Sequence, residues 1–69
     1  MSDDRQRLEA EARSLGVGAQ FAYRYNPVLE HEGWHLVSLD GRRVDEWLAR
    51  DVDNALEALE ARFNRAPHP

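Results

Sequence analysis

Two histidines four residues apart, His31 and His35, stand beside the carboxylates of Glu30 and Glu32. On a helix that interval would put both imidazoles on one face, the arrangement by which zinc proteases hold their metal with a His-Glu-x-x-His run. Here Gly33 interrupts the interval and a strand is expected to begin at Trp34, so no helix aligns the ligands. The expectation is a solvated loop followed by a strand histidine, with no metal and no cofactor. Nucleophilic catalysis is poorly served as well. The chain has no cysteine, and Ser2, Ser14 and Ser38 all lie outside any Gly-x-Ser-x-Gly turn. Gly16-Val17-Gly18 follows an expected helix, whereas loops that cradle phosphate precede one. No catalytic residue is assigned, and a non-enzymatic protein is expected.

Charge is the more informative pattern. The formal net charge is -4, which argues against general affinity for nucleic acid or anionic membrane. Between Val44 and Glu60 stand six acids (Asp45, Glu46, Asp51, Asp53, Glu57, Glu60) against one base, Arg50. Asp53, Glu57 and Glu60 fall at i, i+4, i+7, which places them on one stripe of the last expected helix. That stripe reads either as a solubilising face or as a surface for a protein partner with a basic patch. Arg24, Arg42 and Arg43 are the counterweight, either a small basic edge or protection of a sheet edge.

The elements that position these groups can be read from spacing. A first helix is expected from about Asp3 to Leu15, capped by Ser2, with Asp3 and Asp4 in the first turn and Leu8, Ala12 and Leu15 as a narrow apolar stripe. Arg5–Glu9, Arg7–Glu11 and Glu9–Arg13 are i, i+4 pairs of opposite sign, and Gly16 is placed to end the helix. A strand follows over about Ala19–Tyr25, with Ala19, Phe21, Tyr23 and Tyr25 on one face, and stops at Asn26-Pro27. Pro27–Gly33 is expected to be a loop. Trp34–Leu39 reads as a second strand, apolar on both faces, with Trp34 and Leu36 on one and Val37 and Leu39 on the other. Asp40-Gly41 is a strong hairpin signal, so a third strand is expected over about Arg42–Leu48 rather than a helix starting at Asp45. Asp51 then caps a helix to about Asn64, whose apolar face is Val52, Ala55, Leu56, Leu59 and Phe63.

The result is an α+β class protein: a single small domain over residues 1–66 in the order α-β-β-β-α, with both helices on one face of a three-stranded antiparallel meander and a disordered tail at 67–69. A chain of 69 residues has a marginal core and no disulfide to reinforce it, so a partner subunit is the natural supplement. Surplus apolar groups on the second sheet face, Trp34, Trp47, Val37 and Leu39, are expected to form a homodimer surface unless Val28 and Leu29 fold over them. No targeting signal or membrane-spanning run is visible, which makes a cytoplasmic protein the expectation. Arginine supplies every basic residue apart from histidine and lysine, isoleucine and threonine are absent, a composition typical of a G+C-rich bacterial or phage genome.

The order and length are similar to those of double-stranded RNA-binding domains. That family grips phosphates with a lysine-rich start to its second helix; the corresponding positions here are Asp51-Val52-Asp53-Asn54, a charge inversion. No RNA or DNA partner is therefore expected. Two functions remain: a small acidic regulator acting through protein–protein contacts, and an acidic inhibitor that mimics nucleic-acid charge, as phage anti-defence proteins of this size do.

Overall fold

The computed structural model describes residues 3–63. They form α1 (Asp3–Ser14), β1 (Ala19–Asn26), β2 (His31–Leu39), β3 (Arg42–Ala49) and α2 (Val52–Phe63), with the strands in the order β1-β2-β3 and both pairings antiparallel. The expected order holds throughout. The caps and tail expected at Ser2, Asn64 and 67–69 lie outside the described residues.

Turn chemistry sets the boundaries. Gly16 adopts φ +84, and around it the Val17 amide donates to the Ala12 carbonyl and the Gly16 amide to that of Arg13, each at 3.0 Å. These are the two bonds of a Schellman stop, which needs a left-handed residue at this place. Asp40 (φ 51) and Gly41 (φ 85) give the two consecutive positive φ values of a type I′ hairpin, which is why Asp-Gly joins β2 to β3 as expected. Asp40 also ties this turn to the α1–β1 connector: its carboxylate accepts from the Gly18 amide at 2.8 Å, and its own amide donates to the Gly18 carbonyl at 2.6 Å. At the other end, the Asp51 side chain accepts from the Asn54 amide at 3.2 Å and caps α2.

β2 begins three residues earlier than its apolar run suggests. Asn26 is the reason: its side-chain oxygen accepts from the amides of Val28 (2.9 Å) and Leu29 (3.1 Å), and its carbonyl accepts from Glu30 (2.7 Å). This closes a turn over Pro27–Glu30, with Glu30 at φ 63, and leaves His31 directly opposite Asn26 in the ladder.

One core lies between the helices and one face of the sheet. Leu8 and Ala12 come from α1, Phe21 from β1, Trp34 and Leu36 from β2, and Ala55 and Leu59 from α2. Leu8, Leu36 and Leu59 are wholly buried, which contributes about 1.5–3 kcal/mol for each such side chain. Val44, Leu48 and Ala49 of β3 pack against the same cluster.

Candidate interaction surface

Because strand side chains alternate, Ala22, Arg24 and Asn26 of β1 lie on the face away from the core, opposite His35, Gly33 and His31 of β2. Trp47 of β3 pairs with His35 and belongs to that face too. Its indole lies over Gly33: a Cβ at that position would overlap the Trp47 ring and stand 2.7 Å from the Ala49 carbonyl oxygen. His31 and His35 bracket the indole edge to face, at centroid distances of 5.0 and 5.3 Å and interplanar angles of 64° and 81°. The histidine interval that would align ligands on a helix runs along a strand here, with an aromatic ring between the two imidazoles. Among the described residues no group of three or more His, Cys, Asp or Glu side chains is placed to hold a metal ion.

His35 is only 2% exposed, and both of its ring nitrogens are engaged. Nδ1 lies 3.1 Å from the Gly33 carbonyl oxygen and Nε2 lies 3.2 Å from Asn26 Nδ2. A carbonyl only accepts and an amide nitrogen only donates, so the hydrogen is assigned to Nδ1 and Nε2 accepts. Asn26 cannot turn its oxygen to His35 without releasing Val28 and Leu29. The inner histidine and the β1–β2 turn therefore form one hydrogen-bonded unit.

Charged and apolar side chains share the remainder of this face. Arg24 and Asp45, from opposite edge strands, form an ion pair across it, and they line both shallow clefts that flank the pair. One cleft, about 810 Å³, is lined also by Gln20, Val37, Ser38 and Arg43; the other, about 610 Å³, by Pro27, Val28, Leu29, His35 and Trp47. Both side chains of the ion pair are solvent-exposed, so it contributes at most about 1 kcal/mol.

The four residues expected to share a dimer surface do not come together. Trp34 points into the core, 6% exposed and edge-on to Tyr23 at 5.4 Å, which corrects its assignment to a partner-facing patch. Trp47 is half-buried against Gly33, and Val37 and Leu39 are half-buried as well. Instead, the large apolar side chains left exposed among the described residues are Tyr23 (51%), Tyr25 (55%), Val28 (86%) and Leu29 (43%). All four lie on β1 or the turn that follows it. The alternation of β1 made the exposed tyrosines visible in sequence as a face with Phe21. That the helices cover Phe21 and stop short of Tyr25 was not visible there.

The acidic stripe of α2 is also rearranged by its neighbour. Arg7 of α1 donates to Asp53 at 3.1 Å, rather than serving Glu11 four residues along its own helix. Glu11 instead meets Glu60. The hydrogen bond between these two carboxyl groups, with lost hydration and like-charge repulsion behind it, holds the Glu11 carboxyl above its ordinary range. Glu57 is exposed and has no ion-pair partner among the described residues. Glu46 on β3 faces the helices and meets Arg62 of α2, with the guanidinium Nη2 donating at 2.8 Å.

No helix among the described residues is long and apolar enough to cross a membrane. No family model matches this chain, and no curated protein or solved structure matches it at a significant level, so the reading of its function rests on its own residues.

Proposed function

We propose that this protein is a small non-enzymatic regulatory module that acts through protein–protein contacts and self-associates as a homodimer. The observation that carries the reading is that the large apolar side chains left exposed among the described residues, Tyr23, Tyr25, Val28 and Leu29, all lie on β1 or the turn that follows it. Clustered exposed aromatics are a common mark of a protein interface. A small core gives the same chain a reason to gain buried area from a partner. Sedimentation velocity over the micromolar range tests this directly. A dimer that dissociates on dilution is expected; a monomer at every concentration overturns the self-association.

A second reading, the acidic inhibitor that mimics nucleic-acid charge, is favoured by one observation: Glu11 joins Glu57 and Glu60 on the outer helical surface. Arg7 removes Asp53 from the free part of that stripe, which leaves this reading less support than the first. Reversing Glu57 and Glu60 to arginine should abolish binding to a basic, nucleic-acid-binding partner while leaving the fold intact.

A further inference from the structure

We infer that the partner at the exposed strand is a second copy of this chain, joined edge to edge through β1 so that the two sheets become one six-stranded antiparallel sheet. This rests on the self-association proposed above and specifies its geometry.

Three observations lead there. First, β1 has β2 as its one strand neighbour among the described residues, so its outer backbone groups face away from the sheet. Such a row of free amides and carbonyls is a template for a further strand. Second, the strand is regular where it matters. From Phe21 to Asn26 its register with β2 is unbroken, and the single irregularity, at Gln20/Phe21, is accommodated by an extra residue on β2. Third, the side chains are self-complementary in one register. Directly opposed residues of an antiparallel pair share a sheet face, so helices on a common side require core-side residues to oppose core-side residues. A two-fold axis at Arg24 would set two guanidinium groups against each other. An axis at Tyr23 opposes Tyr23 to the partner's Tyr23, Tyr25 to the partner's Phe21 and Arg24 to the partner's Ala22. That register places no like charges opposite one another and sets the two exposed Tyr23 rings against each other. It also carries the turn bearing Val28 and Leu29 toward the partner's connector between α1 and β1.

The native chain contains no cysteine, so a single introduced thiol reports position cleanly. Tyr23→Cys should form a disulfide-linked dimer on mild oxidation, whereas Val37→Cys, on the opposite face, should remain uncrosslinked. Tyr23→Lys, which opposes two ammonium groups at the axis and removes an aromatic pair, should weaken the dimer about tenfold by sedimentation. Circular dichroism should be unchanged, because the side chain is exposed. If the native protein is dimeric but Val37→Cys crosslinks and Tyr23→Cys does not, the edge geometry is overturned while self-association stands. A monomeric native protein overturns both, and a monomer that adds an extended peptide of another protein at β1 overturns the second copy as the occupant.

Discussion

β1 and β3 are both eight residues long and both pair with β2, yet they present opposite kinds of edge. β3 is crowded with charge: Arg42, Arg43, Asp45 and Glu46 lie within it, and Glu46 is held by Arg62 of α2. Its register with β2 shifts twice, each time with an extra residue on β3, so a new strand would meet a kinked and charged border. β1 carries one charge, and that charge is turned across the open face to Asp45. Its tyrosines stand exposed beside a regular ladder. One small sheet thus closes one edge against pairing and leaves the other available. The apolar surplus legible in the sequence is displayed along a border of the sheet rather than across a face.

The contrast can be tested by perturbing what the edges share and then what each owns. Leu36→Ala removes a wholly buried side chain from the central strand that supports both. It should cost about 2–5 kcal/mol in urea unfolding and weaken both edges together. If the loss is small, the core is more adaptable than its packing suggests. Gly33→Ala forces Trp47 off the strand it covers and should cost about 1–3 kcal/mol. The expected signature is a red-shifted tryptophan emission with β1 pairing retained. Asn26→Ala acts on the other side: it releases Val28 and Leu29 and leaves His35 Nε2 without its donor, for about 1–2 kcal/mol. Nitrogen-15 spectra should show the His35 Nδ1–H tautomer in the native protein and a mixture in this variant. A native Nε2–H tautomer would refute the assigned network.

The smallest effect should come from the helical layer, remote from both edges. Since folding raises the Glu11 carboxyl above its unfolded range, the protonated contact with Glu60 stabilises the fold in acid. That contribution is lost as pH rises through the folded value. Glu11→Gln keeps a hydrogen-bond donor and removes the repulsion, so melting temperature should rise slightly at neutral pH, and its dependence on pH across the carboxyl range should flatten. An unchanged pH profile would show that the two carboxyl groups do not interact in solution.

Much of this molecule was legible from local chemistry. Gly16 and Asp40-Gly41 mark their turns because left-handed backbone suits few residues, and the i, i+3, i+4 spacing of Val52, Ala55, Leu56 and Leu59 is a property of the α2 segment alone. The start of β2 was hidden because His31, Glu32 and Gly33 carry no apolar signal, and the side chain of Asn26 closes the turn that pairs them. The dimer-surface assignment of Trp34 failed for a related reason. Sequence alternation separates the two faces of a strand but does not say which one the helices will cover, or how far along it they reach. Asp53, Glu57 and Glu60 all lie within α2, but the residues that meet two of them, Arg7 and Glu11, come from a helix more than forty residues earlier in the chain.

Sequence by itself determined the order of elements, the turns, the amphipathic faces and the surplus of apolar groups, because each depends on backbone preferences and periodicities confined to a few neighbouring residues. Tertiary structure decided where that surplus emerges. Only when α1 and α2 settle over Phe21, Trp34 and Leu36 does one indole disappear into the core, another lie down on Gly33, and the tyrosines of β1 remain at the border. Exposure is a property of packed volumes, and no single segment contains it.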